Sequence, residues 1–422
     1  MRRKKEKKES LFTPYQVFII AIVAFIQFTV VLDFMILSPL SAILLDELDI
    51  STSQFGLVVS AYAFSAGISG LLAAGFADKF DRKKFLMFFY SGFLAGTILC
   101  ALAPNYMFLL VARIITGIFG GVIGSVSMAI ITDLFRLEVR GRVMAFVQTA
   151  FAASQVLGLP IGLWLAEAIN WHWCFWMIVI CGTATGIIIM IYMKPVDTHL
   201  SIKSERNAVQ HLAKTVSHPD YIRAFLGTVL LATGGFMLMP FGAAFLTNNL
   251  GLTLAQLPVL YAITGAFSIL LGPVIGRISD KTGRFRTFLT GTIISIIMVA
   301  VYTRLGITPL WMIVVLNVIL FIGINSRVIS SSALISAIPD PQDRGAFMSI
   351  NSSIQMISGG VASGIAGLIV VQSKSGVLEH YDMLGYVVIG SMAVAAVLIY
   401  MLDRFVIRKQ QLQAMKAGET SN

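Results

Sequence analysis

The chain has 422 residues, 57% hydrophobic and only 12% charged, with mean hydropathy +0.85. That composition excludes a soluble globular protein of this size, whose surface would need far more charge, and assigns most of the outer surface to lipid. The formal charge of +10 would suit a nucleic-acid partner, but its placement speaks against one. Arg304 and Lys374 are the only basic residues read in outer loops and Arg113 and Arg327 lie inside spans; the remaining Lys and Arg fall on the side of the N-terminus, the positive-inside pattern of a membrane protein.

Residues 1–14 form a basic tail, Met1-Arg-Arg-Lys-Lys-Glu-Lys-Lys at its tip, read as cytoplasmic and suited to anionic lipid. The first apolar run is too long for a signal-peptide core and is read as a retained span. Apolar runs of the required ~20 residues then recur twelve times. Six fall within 15–193: Gln16–Leu45, Gln54–Phe76, Phe85–Ala103, Met107–Leu134, Val143–Glu167 and Trp173–Met193. The polar stretch 194–220, with Pro195, Pro219 and three His, reads as a cytoplasmic linker. Six more fall within 221–403: Ile222–Asn248, Leu254–Ser279, Thr287–Arg304, Leu310–Ile338, Ala346–Gln372 and Met383–Leu402, before a basic cytoplasmic tail at 404–422. The expected fold is an all-α membrane protein of twelve transmembrane helices in two six-helix bundles. Six spans return the chain to its starting side, so the bundles share one orientation about an axis along the membrane normal.

A repeat supports this. Ala74-Gly75-Phe76-Ala77-Asp78-Lys79-Phe80-Asp81-Arg82-Lys83-Lys84 links spans two and three; Gly276-Arg277-Ile278-Ser279-Asp280-Lys281-Thr282-Gly283-Arg284-Phe285-Arg286 links spans eight and nine. Both read small, x, x, small, Asp, Lys, x, x, Arg. Arg140-Gly141 before span five likewise matches Arg344-Gly345 before span eleven. Small residues four apart, among them Gly117/Gly121, Gly158/Gly162 and Gly272/Gly276, let helix backbones approach closely in lipid. Cys100, Cys174 and Cys181 have no paired spacing and read as packing residues, so no disulfide framework, metal site or cofactor is expected.

With twelve spans, the doubled Asp-Lys-x-x-Arg loop and Arg113 in Leu110-Val111-Ala112-Arg113-Ile114-Ile115-Thr116-Gly117, the chain resembles the major facilitator superfamily from its first span to its last. Gly158-Leu159-Pro160-Ile161-Gly162 with the downstream Trp171-His172-Trp173-Cys174-Phe175, and Leu32-Asp33 followed by Pro39, are similar to motifs of the twelve-span drug and sugar efflux proton antiporters. The resemblance implies export of a small organic molecule against protons by alternating access; the compact loops and the lack of an organellar targeting segment point to a bacterial inner membrane, and one chain with two halves is expected to form the whole pathway. The resemblance also implies that Asp78 docks on the start of span eleven and Asp280 on the start of span five, latching the cytoplasmic gate with Arg82, Arg140, Arg284 and Arg344 around them.

The residues expected to carry chemistry stand out as polar groups in apolar runs. Asp33 lies about eighteen residues, roughly 27 Å of helix, from Tyr15. An ionised carboxylate there needs a partner, water or a proton, and Arg113, at a compatible depth in span four, is the candidate partner. Desolvation favours a protonated carboxyl and a neighbouring cation the ionised one, so a conformational change can exchange the two. Arg327, flanked by Asn325, Ser326 and Ser330 to Ser332, either caps carbonyls or contacts an anionic or hydroxyl-rich substrate. Gln27, Tyr62, Gln148, Gln155, Phe241, Tyr261, Asn317, Asn351 and Gln355 are candidates for a central cavity. Proton-coupled uptake, uniport, and a receptor without transport are the competing readings. All five His lie in loops or at span ends, so an intramembrane enzyme is not expected.

Overall fold

The structure, a computed structural model, describes residues 12–73, 79–197, 200, 212, 214–340 and 343–419. Among these residues, twelve helices are long and apolar enough to cross a membrane: Pro14–Ile36, Thr52–Ala73, Arg82–Ala101, Tyr106–Leu134, Val139–Ala168, His172–Tyr192, Pro219–Asn248, Gln256–Thr282, Arg284–Tyr302, Leu310–Ile335, Arg344–Ile369 and Tyr381–Lys409. They are spans one to twelve. Their ends are built from short polar signals: Thr13 and Gln16 form a reciprocal cap on span one, Asp81 accepts from the Lys83 and Lys84 N–H groups, and Asn105 accepts from Phe108. The near face is the one reached by Phe12 and by the tail of span twelve; the far face is opposite.

Hydropathy alone overestimates the continuity of several spans. The apolar run Gln16–Leu45 is not one helix: it stops at Ile36, turns through Leu37 to Leu40 and resumes over Ser41–Glu47. Span seven breaks in the same way after Leu238 and resumes over Gly242–Asn248. Pro39 and Pro240 sit in the two breaks, where a residue with no N–H and a ring against the preceding turn interrupts the helical ladder. Inside span five, Ser154–Gly158 forms a π-turn just before Pro160, for the same reason. Span eleven ends at Ile369, short of the expected Gln372, and leads into a two-stranded antiparallel hairpin, Val371–Gln372 with Leu378–Glu379. At the other end, the basic tail continues the last helix to Glu419.

The two halves meet along two seams. Span two lies against span eleven over much of its length: Gly56 faces the Ser363 carbonyl, Gly67 the Ser353 carbonyl and Gly367 the Thr52 carbonyl, where an added Cβ would come within 2.9, 2.9 and 2.7 Å. Ser60 donates to the Gly360 carbonyl at 2.7 Å, and Leu71 packs on the near-face apolar cluster of the second half. The second seam, between spans five and eight, is shorter. Gly265 lies against Gln155 and Val156, but Gly272 and Gly276, towards the near face, would meet nothing within 4 Å of an added Cβ. The expected small-residue packing of Gly272/Gly276 is therefore absent, because span eight has parted from its neighbour there.

At the far face the two helix breaks are joined. Ser38 donates to the Met239 carbonyl, the Ala244 N–H donates to Ser41 Oγ at 3.2 Å, and Gln372 Nε2 donates to Asp46 at 3.2 Å. Phe55 and Phe241 pack behind them with ring centroids 5.8 Å apart.

Candidate functional site

Asp33, near the far end of span one, is 0% exposed and Arg113 of span four 1%. Their ion pair is single-pointed: Arg113 Nη1 stands 2.8 Å from Asp33 Oδ2 and 3.3 Å from the Asp33 carbonyl. Thr97 of span three donates to Asp33 Oδ1 at 3.3 Å, although the same hydroxyl also serves the Phe93 carbonyl at 2.9 Å. The Tyr62 ring of span two lies 4.3 Å from the guanidinium carbon, a cation–π contact that supplies part of what water would. Glycines on the Arg113 face of span four make this approach possible. A Cβ on Gly117 would lie 2.6 Å from the Tyr62 carbonyl, and one on Gly120 would lie 2.8 Å from its hydroxyl.

A buried charge pair compensates its desolvation only with good geometry and complete hydrogen bonding. Here the carboxylate has one guanidinium nitrogen and a shared hydroxyl, while Arg113 Nε reaches no acceptor among the described residues. A proton placed on Asp33 would remove the main partner of Arg113, so one titration event is tied to the packing of four helices.

Several cavity candidates occupy other places. Tyr62 is 2% exposed and stacked under Arg113, which corrects its assignment to an open cavity, and Phe241 is sealed at the far-face junction. Both rings are large and apolar enough to be drawn into packing. Asn351 accepts from Thr228 at 2.6 Å as a strut between spans eleven and seven, and Asn317 is buried. Gln27, Gln155, Tyr261 and Asn325 are half-buried, whereas Gln148 and Gln355 are exposed. Arg327 is 5% exposed and is joined to no carboxylate among the described residues. The serines beside it bond within or between helices: Ser326 to the Ile322 carbonyl, Ser331 to the Arg327 carbonyl, and Ser330 with Ser279 at 3.2 Å.

Of the gate residues, Asp78 lies outside the described residues. Asp280 and Arg344 are exposed. Arg82 Nε is 3.1 Å from Asp133, Arg140 donates to the Phe135 and Thr132 carbonyls, and Arg284 donates to Ala333 at 3.2 Å. Each of these last three is engaged within its own half. Among the helix-packing residues, Gly121 meets the Ala66 backbone, Gly158 meets Leu32 and Gly162 meets Ile36, while Pro160 follows the π-turn. Asp133, Thr97 and the Asp46–Gln372 contact are not among the residues that sequence reasoning singles out. Asp133 carries a signal, a carboxylate near the end of a long apolar run, whereas a threonine or glutamine in such a chain carries none.

Residues 23–221 and 224–418 match the Major Facilitator Superfamily. The chain is 28% identical over 285 residues to "Uncharacterized MFS-type transporter YceJ" of Bacillus subtilis (strain 168), covering 67% of this chain and 72% of the relative. It is 32% identical over 144 residues to "Multidrug resistance protein 3" of the same organism, covering 34% and 28%. Its structure is similar to a bacterial homolog of the human lysosomal transporter Spinster in an inward-facing, unoccupied conformation (TM-score 0.75, 16% identity, 94% and 98% covered) and to a mutant of the nucleoside transporter NupG (TM-score 0.71, 14% identity, 91% and 99% covered).

Proposed function

Because the chain belongs to the Major Facilitator Superfamily and is thus a multi-pass membrane transporter of a small solute, we propose that it exports a small organic molecule in exchange for protons by alternating access. The near face is the cytoplasmic one on this reading, since Phe12 and the end of span twelve lie there and the sequence assigns its basic loops and the tails at 1–14 and 404–422 to that side. On this reading residues 15–193 and 221–403 are the two moving bundles, 194–220 is the linker, and a single chain supplies the pathway. The far-face junction is then the outer gate, closed here, and the parted edge of span eight faces the cytoplasm.

The observation that carries the reading is the sealed, incompletely bonded pair of Asp33 and Arg113. Arg113 holds the carboxylate ionised in this arrangement. When the halves rock and the packing around Tyr62 loosens, water reaches the carboxylate, a proton from the outside takes it, and Arg113 is freed. Return to the inward arrangement re-forms the pair and delivers the proton to the cytoplasm, so that outward movement of solute is coupled to inward movement of a proton. The partial match to a multidrug resistance protein supports the outward direction. Asp78 and Asp280 serve as the cytoplasmic latches in the opposite state, each carboxylate set against a helix N-terminus.

The test is proton release from purified protein in weakly buffered detergent as sugars, metabolites and lipophilic cations are added. Wild type releases protons on ligand addition and Asp33→Asn does not, although it still binds. Asp33→Asn that retained pH-driven flux in liposomes would overturn proton coupling at this site.

A further inference from the structure

Arg327 is an unusual object. It is the eighteenth residue of span ten, counted from Leu310, and 5% exposed. Among the described residues, carboxylates of the second half lie only in loops or towards span ends: Asp220, Asp280, Asp340, Asp343, Glu379, Asp382 and Asp403. Burying a guanidinium without an anion is costly, and an intramembrane cation is ordinarily paired or functional.

The unsatisfied atoms are specific ones. Nε and Nη2 reach no acceptor among the described residues. These two nitrogens present parallel N–H bonds on one edge of the planar guanidinium, the fork that receives both oxygens of a carboxylate. The Phe288 ring lies 5.7 Å from the guanidinium carbon and gives the cation a partial counterpart but no acceptor. Span seven passes beside the Nη1 side of the buried group. A Cβ on Gly234 would lie 3.9 Å from Arg327 Nη1 and 3.4 Å from Ser391 Oγ, and one on Gly235 would meet nothing within 4 Å. The edge without acceptors is thus enclosed, and span seven approaches the guanidinium with glycines and not with side chains.

We propose that Arg327 binds an oxyanion, and that the transported compound carries a carboxylate or a group of the same two-oxygen geometry that docks on the Nε/Nη2 edge. This rests on the transport reading and narrows its substrate class. It also divides the labour between the halves: the first holds the proton site, with its carboxylate built in, and the second holds a lone cation whose carboxylate arrives with the cargo.

The experiment measures thermal stability of the purified full-length protein in detergent while formate, acetate or benzoate is titrated at constant ionic strength, with neutral benzamide and sodium chloride as comparators. Wild type is stabilised saturably by the carboxylates and not by benzamide. In Arg327→Gln the half-saturating concentration rises at least about tenfold, as expected for losing a charge-assisted pair. Arg327→Lys, which keeps the charge but not the fork, falls between. Gly235→Leu leaves the guanidinium in place and adds bulk on span seven next to the Gly234 contact with it, and it too weakens the response, which keeps the test valid if the Arg327 variants do not fold. Equal stabilisation of wild type and Arg327→Gln, or none of wild type, overturns the proposal. Chloride acting as well as the carboxylates would assign Arg327 to a resident inorganic anion and overturn the substrate claim. Flux of a cationic or neutral compound that is unchanged in Arg327→Gln would leave the transport reading standing and sink this one. Carboxylate binding at Arg327 without any flux in liposomes would do the reverse.

Discussion

Asp33 and Arg113 share a volume from which water is excluded, so neither tolerates the loss of the other. Arg113→Met leaves a buried carboxylate without its cation and is expected to cost about 3–5 kcal/mol, read as an early heat-denaturation midpoint. The double variant Asp33→Asn, Arg113→Met should recover much of that loss while remaining uncoupled from protons. Both residues are legible in the sequence, because a charge inside an apolar run has few innocuous explanations. Their companions are not. Thr97 resembles many threonines whose hydroxyl bonds back to its own helix, and Tyr62 reads as a cavity residue because nothing in its neighbours announces a stacked guanidinium. A polar residue's presence in a span can be read from composition, but the direction it faces depends on helix rotation, which the sequence of a lipid-exposed bundle encodes weakly.

Between elements, glycine decides distance. A Cβ on Gly121 would stand 2.1 Å from the Ala66 carbonyl, so Gly121→Val should push spans two and four apart at about 3 kcal/mol, the upper end of ordinary overpacking, and lower the yield of folded protein. Gly141→Ala, where an added Cβ meets nothing, is the matched substitution expected to be silent in the same denaturation assay. The number and order of spans are readable from hydropathy. The breaks at Leu37–Leu40 and Met239–Phe241 and the π-turn in span five are not, since hydropathy is blind to which carbonyl an N–H serves. The prolines are visible, but a proline in an apolar run also fits a kinked, continuous helix.

For the molecule as a whole, the far-face junction should be a working part of the cycle. A short bifunctional thiol reagent joining Ser41→Cys to Ala244→Cys, in a background lacking Cys181, is expected to abolish flux in liposomes while leaving ligand binding from the near face intact; unchanged flux would show that this face does not open. On the proposed latch, in which the exposed carboxylate of Asp280 docks only in the other state, Asp280→Asn should slow transport with little loss of binding. The two seams differ in kind. Along spans two and eleven, Gly56, Gly67 and Gly367 bring main chain close to main chain. Along spans five and eight, contact ends part-way. A body joined along one edge and loose along the other moves like the cover of a book: displacement is nil at the spine and grows with distance from it. On the proposed transport cycle, the widest passage then forms beside Gly272 and Gly276, and the bulk of the largest cargo is decided at that outer margin, far from either buried arginine.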